Sequence, residues 1–447
     1  MGKLFGTDGL RARAGEFPLE AGAVFRLGQA LASFLQEKGK EPRIVIGRDT
    51  RESSQWLEEY FCSGFVQAGG QAVSAGVITT PGVSFLTRRG GFSAGVVVSA
   101  SHNPYEDNGI KIFSPGGTKI PEDWEERLEE ALIKERQEGS KIKTEPVEVD
   151  PSLLSAYLDS LLESWSSSKK DKLKLVVDCA NGASSELAPR LFKALNFEVV
   201  AINNSPDGRN INASCGSLHP ENLARAVVEQ GADLGIAYDG DADRAIWADE
   251  QGHILNGDHT LYLLALYFKE KARLKNNLVV ATTMSNLGLE QSLAHNGIKL
   301  LRTRVGDKYV LEEMVKHQAN LGGEQSGHTI LLDYAATGDG LLTSLKLLEL
   351  LVESGQSLSE LVKGFQLYPQ ILINLRVKAK VPLREIPGYS DLIEDVKKEL
   401  GPRGRLEVRY SGTEPLARIM IEGPDEDKLQ PLARKIVNLI DSFCGQK

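Results

Sequence analysis

Cysteine is scarce in this 447-residue chain and widely scattered. Cys62, Cys179, Cys215 and Cys444 form no CxxC pair and have no histidine nearby at zinc-site spacing. That argues against a structural zinc site or a disulfide framework, and for buried or incidental thiols in a reducing compartment. Long apolar runs are also missing, since none approaches the roughly 18 residues needed to span a bilayer. The first residues, Met1 to Asp8, carry no secretory h-region, and Thr7 stands one place beyond the position a myristoylation motif needs. The expectation is a cytoplasmic protein. An excess of positive charge is absent as well. The net charge of -9 argues against a nucleic-acid or anionic-membrane surface, so no nucleic-acid or membrane partner is expected. It leaves room for a phosphorylated ligand, because a few arginines and backbone amides bind phosphate locally. No low-complexity tract or short-period repeat appears.

What is present is the composition of a globular chain, 41% apolar and 25% charged, long enough for several domains with separate cores. β-Branched runs at Ile44–Ile46, Val96–Val98, Leu175–Val177, Leu234–Ala237 and Leu278–Val280 alternate with helical patterns such as Glu186–Leu195 and Leu341–Glu353. Such alternation predicts βαβ units with mostly parallel sheets. The pattern recurs about three times before residue 365. Polar or turn-rich stretches at Gln137–Val149, Glu250–His253 and Phe365–Pro369 divide the chain into 1–145, 150–249, 252–367 and 370–447. The last unit differs: two strand-like stretches, Gln370–Lys378 and Gly404–Gly423, precede a helix over Asp425–Phe443, an α+β pattern.

Four segments carry chemistry. In the first, the buried strand Ala94–Val98 runs into Ser99-Ala100-Ser101-His102-Asn103-Pro104, at the kind of strand end where open α/β sheets place functional side chains. Taken alone, this reads first as ordinary turn chemistry, because Ser, Asn and Pro are common loop residues. In the second, Asp239, Asp241 and Asp243 alternate on a tight turn ending in Arg244. Three like charges so close call for a hard divalent cation, and oxygen ligands suit Mg²⁺ or Ca²⁺. An EF-hand is excluded, because Arg244 stands where that loop needs glycine and the flanks read as strands. The third, Leu321-Gly322-Gly323-Glu324-Gln325-Ser326-Gly327-His328, offers donors and acceptors suited to sugar hydroxyls or an amine. The fourth, Arg409-Tyr410-Ser411-Gly412-Thr413-Glu414-Pro415 with Arg418 beyond, has the groups of a phosphate cradle but not the spacing of a P-loop. Each segment has a bland alternative. Together they supply a nucleophile, a metal triad, a hydroxyl-reading loop and a phosphate clamp, which is the equipment for phosphoryl transfer.

In this order the segments resemble the α-D-phosphohexomutase superfamily over essentially the whole chain, from Gly6-Thr7-Asp8-Gly9-Leu10-Arg11 to the Arg409–Pro415 loop. Asp107-Asn108-Gly109-Ile110-Lys111, Thr283–Gly288 and the Gly-Glu-Gln-Ser-Gly-His form of the third segment make the resemblance strongest to its bacterial phosphoglucosamine mutase branch. The resemblance implies three similar α/β domains plus a C-terminal α+β domain, in a heart-shaped arrangement around a cleft. It implies that Ser101 is a phosphoserine and that Asp239, Asp241 and Asp243 hold one Mg²⁺ together with the Ser101 phosphate. Lys111, Arg11 and His102 would lie near the reacting phosphoryl group, and Arg244 would face the cleft. Glu324, Ser326 and His328 would serve the sugar. Arg409, Ser411, Gly412, Thr413 and Arg418 would hold the non-reacting phosphate. Two departures concern fine geometry: Ala242 stands where many relatives have glycine, and Tyr410 where proline is common.

The implied reaction is an intramolecular phosphotransfer, interconverting glucosamine 6-phosphate and glucosamine 1-phosphate through glucosamine 1,6-bisphosphate, on the way to UDP-N-acetylglucosamine. Lys111 would move the proton, with a pKa depressed by Arg11 and the metal. A mobile last domain and a homodimer belong to the same expectation. Rival readings are a phosphomannomutase or phosphoglucomutase, a metal-dependent phosphatase and a non-catalytic phosphosugar-binding regulator.

Overall fold

The computed structural model describes residues 4–6, 8–134, 142–169, 172–411 and 415–445. The expected boundary at Gln137–Val149 lies partly outside them, as do Gly412 and Thr413. The chain forms two compact units, one of Met1–Met284 with Leu300–Lys363, the other of Ser285–Lys299 with Gly364–Lys447.

The larger unit carries three sheets. The first runs Phe5–Gly6, Gly9–Arg13, Asp107–Phe113, Ala94–Val98, Arg43–Arg48, Gln71–Val77 in spatial order. Helices Ala21–Glu37, Glu52–Gln67, Thr80–Arg89 and Glu122–Lys134 accompany it. Ala94–Val98 is buried along its whole length, which is why it reads as an unbroken apolar run rather than an alternating one. The second sheet runs Ile254–Leu255, Ala245–Asp249, Leu234–Tyr238, Lys174–Asp178, Glu198–Ile202, and the third Lys299–Thr303, Leu278–Thr282, Leu321–Gly323, Thr329–Leu331.

The expected runs all fall within strands, but the sheets are mixed rather than mostly parallel. Arg43–Arg48 pairs parallel with both neighbours, whereas Asp107–Phe113 is antiparallel to both of its own. Leu234–Tyr238 pairs parallel with Lys174–Asp178 and antiparallel with Ala245–Asp249. The physical reason is connection length. The six residues from Asp239 to Arg244 cannot make a parallel crossover, which needs a dozen or more, so the chain turns back as a hairpin.

The smaller unit is an antiparallel sheet, Gln370–Arg376, Leu416–Glu422, Arg405–Tyr410, packed with helices Tyr389–Leu400 and Glu426–Cys444. Val396, Ile419, Ile421, Leu432, Ile436 and Ile440 are buried between them. Residues 285–299 also belong to this unit. The Asn286 amide donates to the Tyr368 carbonyl at 2.9 Å, and its side-chain oxygen accepts from the Tyr368 N–H at 3.0 Å. All four cysteines are buried free thiols, as expected. Among the described residues no helix is long and apolar enough to cross a membrane.

Candidate active site

Ser101 follows the strand Ala94–Val98 in a left-handed backbone conformation, φ +53°, that L-residues adopt only when their surroundings impose it. Its side chain is thereby aimed at the acidic turn: Oγ donates to Asp239 Oδ2 at 2.5 Å. His102 Nδ1 lies 3.4 Å from the same Oγ. Burial, then the Arg244 and Arg11 charges, push His102 down to about 4, so its ring is neutral at neutral pH.

The acidic turn closes the hairpin between Leu234–Tyr238 and Ala245–Asp249, with Tyr238 and Ala245 as the last register pair. Asp239, Asp241 and Asp243 are all buried, and one oxygen from each lies within 4.8 Å of the others. Ala242 takes φ +55°, so the turn does accommodate a Cβ where glycine would be relaxed, at a cost of roughly 1 kcal/mol. Gly240 has no such latitude. A Cβ there would sit 2.6 Å from the Ser101 carbonyl oxygen, so the close approach of the two loops depends on glycine. Thr80, at the start of helix Thr80–Arg89, pins Asp241: its N–H donates to the Asp241 carbonyl at 3.0 Å and its hydroxyl to Oδ2 at 2.5 Å.

The triad fits a hard divalent cation. Asp241 Oδ1 and Asp243 Oδ1 are buried with no hydrogen-bond partner, a costly state for carboxylate oxygens unless a cation meets them. Burial, then the Asp243 and Asp241 charges, drive Asp239 well above the usual carboxylate range. Burial pushes Asp243 the same way, but Lys111, His328 and Arg244 overcome it and hold Asp243 below that range.

Lys111, on the strand Asp107–Phe113, is buried with its Nζ 2.8 Å from Asp241 Oδ2, 3.0 Å from Asp8 Oδ2 and 3.7 Å from Asp243 Oδ2. The neighbouring carboxylates act against the depressed pKa expected from Arg11 and the metal. Burial alone would lower it, but three carboxylates outweigh both burial and Arg11, and Lys111 is held protonated. Asp8 was missed from sequence. It also meets Arg11 Nη2 and, at 2.6 Å, Lys119 Nζ. Lys119 in turn lies 2.7 Å from Asp307. Arg11 Nη1 donates to Asn103 Oδ1 at 3.3 Å, tying it to the Ser101 loop.

The third segment is the turn between Leu321–Gly323 and Thr329–Leu331. Arg244 and His328 form an antiparallel bridge, and the Ala245 N–H donates to the Gly327 carbonyl at 3.2 Å, which seats this turn beside the acidic one. Glu324 Oε1 accepts from the Gly306 N–H at 3.1 Å, and Ser326 is exposed at the tip. His328 is buried, with Nδ1 3.6 Å from Asp243 Oδ2. Although burial opposes it, the Asp243, Asp307 and Glu324 charges raise its pKa to about 9. The Gly338 N–H lies 3.0 Å from Nε2, a bond that only the neutral ring with its proton on Nδ1 accepts and that is given up when the ring is charged.

In the smaller unit Arg409 and Arg418 are direct register partners on adjacent strands, so their side chains leave the same face. Two like charges set opposite one another are a feature an anion stabilises. The Ser411 carbonyl accepts from Lys380 Nζ at 2.7 Å. Ser101, His102, Lys111, Arg11, the three aspartates, Arg244 and His328 thus form one connected cluster in the larger unit, with Glu324 at its margin. Arg409, Ser411 and Arg418 form a separate group in the smaller one. Arg51 and Asn212, which donate to the Ser101 carbonyl, and Lys119 and Asp307 join the cluster without having stood out in the sequence.

Four family models match in order: phosphoglucomutase/phosphomannomutase α/β/α domain I at residues 2–139, domain II at 155–252, domain III at 256–368 and the C-terminal domain at 372–439. Among curated proteins, a phosphoglucosamine mutase of Koribacter versatilis is 47% identical over 99% of this chain and 97% of its own length. One of Carboxydothermus hydrogenoformans is 45% identical over 99% and 100%. Among solved structures, a phosphoglucomutase/phosphomannomutase family protein of Burkholderia thailandensis shares the fold with a TM-score of 0.80 at 24% identity, covering 98% of this chain and 97% of that one. An Aspergillus fumigatus N-acetylphosphoglucosamine mutase, solved with GlcNAc-6P and magnesium, does so with 0.64 at 19% identity, covering 98% and 95%. Matches of this depth along the whole length mean that the chain belongs to the α-D-phosphohexomutase superfamily and, within it, to the phosphoglucosamine mutase family.

Proposed function

We propose that the enzyme interconverts glucosamine 6-phosphate and glucosamine 1-phosphate through a phosphorylated Ser101. The observation that carries this reading is the buried contact of Ser101 Oγ with Asp239 in the three-carboxylate turn. A residue-by-residue role follows for each group. The phosphoryl group leaves Ser101 Oγ for the free sugar hydroxyl: the Ser101 O–P bond breaks and a sugar O–P bond forms, giving glucosamine 1,6-bisphosphate. The hydroxyl gives up its proton as the sugar O–P bond forms and the serine oxygen regains one as its own O–P bond breaks; His102 Nδ1, 3.4 Å from that oxygen, stands on the side of the leaving serine. Lys111, with Nζ 2.8 Å from Asp241 and 3.7 Å from Asp243, supplies fixed positive charge beside the acidic turn. Return of the other phosphoryl group to Ser101 reverses these roles.

Asp239, Asp241 and Asp243, with the serine phosphate, would hold Mg²⁺, which when bound offsets phosphoryl charge. Arg244, Glu324, Ser326 and His328 serve the sugar, and Arg409, Ser411, Gly412, Thr413 and Arg418 the non-reacting phosphate. The proposal assigns one chemical segment to each of four domains, 1–145, 150–249, 252–367 and 370–447. It also takes the enzyme to be a cytoplasmic homodimer, to be checked by fractionation and by sedimentation.

The test is an assay of isomerisation and released phosphate across glucosamine, glucose and mannose phosphates, each with a trace of the matching bisphosphate. Preference for glucosamine phosphate supports the reading. Preference for mannose or glucose phosphate, or phosphate release in place of isomerisation, refutes it.

A further inference from the structure

A serine at φ +53° has to be held there, and the groups that hold it lie outside every segment discussed above. Arg51 is buried at the start of helix Glu52–Gln67, and a guanidinium has five N–H donors in a fixed planar fork. All five are used. Nε donates to Asp49 Oδ2 at 2.8 Å. Nη1 donates to the Pro104 carbonyl and, at 3.1 Å, to that of Asp107. Nη2 donates to the Ser101 and Asn103 carbonyls, each at 2.9 Å. Asp49 is itself fixed by the Ser99 hydroxyl at 2.6 Å and the Ser54 hydroxyl at 2.7 Å, so the fork cannot rotate away.

A second donor reaches the same two carbonyls from another part of the chain. Asn212 Nδ2 lies 2.9 Å from the Ser101 oxygen and 3.0 Å from the Asn103 oxygen. The carbonyls on either side of His102 are therefore each gripped twice, and neither grip touches a side chain that would meet phosphate or metal.

Building on the phosphoserine reading, we propose that Arg51 and Asn212 are positioning residues for phosphoryl transfer, fixing the backbone of Ser101 so that its Oγ stays aimed at the acidic turn. They act on turnover through the geometry of the nucleophile, not through substrate affinity.

The test uses full-length Arg51→Lys, which offers three donors for five, and Asn212→Gly. The latter removes the amide at φ +57°, an angle glycine adopts freely, and leaves the core intact. Each variant is phosphorylated with glucosamine 1,6-bisphosphate. Serine occupancy is read by intact mass, transfer to glucosamine 6-phosphate by single turnover, and kcat and KM at steady state, with far-UV circular dichroism as the fold check. Arg51→Lys is expected to transfer about a hundredfold more slowly, the scale of an ångström's misplacement. Asn212→Gly is expected to slow in the same direction, with KM held within about twofold in both. Wild-type transfer in folded Arg51→Lys and in Asn212→Gly overturns the proposal, and so does a loss that falls on KM alone. If Arg51→Lys does not fold, Asn212→Gly decides. Ser101→Ala separates the two ideas: turnover surviving there removes the phosphoserine reading itself, whereas turnover lost there beside wild-type transfer in the clamp variants removes only the clamp.

Discussion

Ser101 is buried, left-handed and bonded to a carboxylate 138 positions further along the chain, the combination on which its proposed role as nucleophile rests. Ser101→Ala should lower mutase turnover by about 10⁴-fold or more while the protein still folds, because only one small hydroxyl is removed. Full turnover in a stoichiometric assay would contradict the assignment. Lys111→Met makes a different demand. It leaves the Asp8 and Asp241 carboxylates without a cation they share at 3.0 and 2.8 Å, and breaking a buried pair in this way costs about 3–5 kcal/mol. Both turnover and melting temperature should fall, and an unchanged melting temperature would show that the lysine is not needed to neutralise them. The three aspartates were legible in sequence because like charges so close call for a cation, and Ser101, among ordinary loop residues, only in combination with the other segments. Arg51, Asn212, Lys119 and Asp307 were not, since a lone polar residue has no local signal. The bonds Arg51–Ser101, Asn212–Ser101 and Lys119–Asp307 span 50, 111 and 188 positions and become visible only in three dimensions.

At the scale of elements, the hairpin bearing the triad and the helix Gly340–Ser354 carry the sharpest consequences. Gly240→Ala would press a methyl against the Ser101 carbonyl at 2.6 Å and the Asn212 amide at 2.9 Å. One of the two loops must then move. Turnover should fall about a hundredfold with metal binding less affected, measured by kcat and by Mg²⁺ titration. The helix Gly340–Ser354 begins at Asp339, whose Oδ1 accepts from the Leu342 N–H at 3.0 Å and whose Oδ2 accepts from the Tyr157 hydroxyl at 2.8 Å. Burial raises this carboxyl from 3.8 to about 6, against the pull of those bonds. The protonated form is thus the one the fold prefers: its contribution is complete below about pH 3.8 and is lost as pH rises through about 6. Asp339→Asn keeps a cap but cannot ionise. It should flatten the pH dependence of stability across that interval and melt higher than wild type at pH 8, and a pH profile parallel to wild type would refute this. The hairpin itself could have been anticipated, because Asp239 to Arg244 is too short for a crossover. Apolar periodicity locates strands and is silent about their direction, which is why parallel pairing was expected.

For the molecule as a whole, the four-unit α/β plan was readable because alternating apolar runs and amphipathic stretches persist for most of the chain. The association of residues 285–299 with the smaller unit was not, since it rests on bonds such as those of Asn286 to Tyr368, Ser285 to Arg405 and Ser292 to Gln366, and hydropathy does not register them. The net charge of -9 has its densest buried concentration in Asp239, Asp241 and Asp243, so the larger unit should be strained without a cation and stabilised by one. The chain has four tryptophans, Trp56, Trp124, Trp165 and Trp247, all within the larger unit, and Trp247 is buried on the hairpin strand that leaves the triad. Tryptophan emission therefore reports on the unit that carries the acidic turn. Mg²⁺ at a hundredfold excess over its dissociation constant should stabilise it by about 2.7 kcal/mol, seen as a higher melting temperature than in NaCl of equal ionic strength. Asp241→Asn should lose most of that shift and, with one like charge fewer, melt no lower than wild type in EDTA. An equal Mg²⁺ shift in Asp241→Asn would place the cation elsewhere. A lower melting temperature in EDTA would show instead that the carboxylate is held chiefly by Lys111 and Thr80, as a structural pair rather than as a ligand.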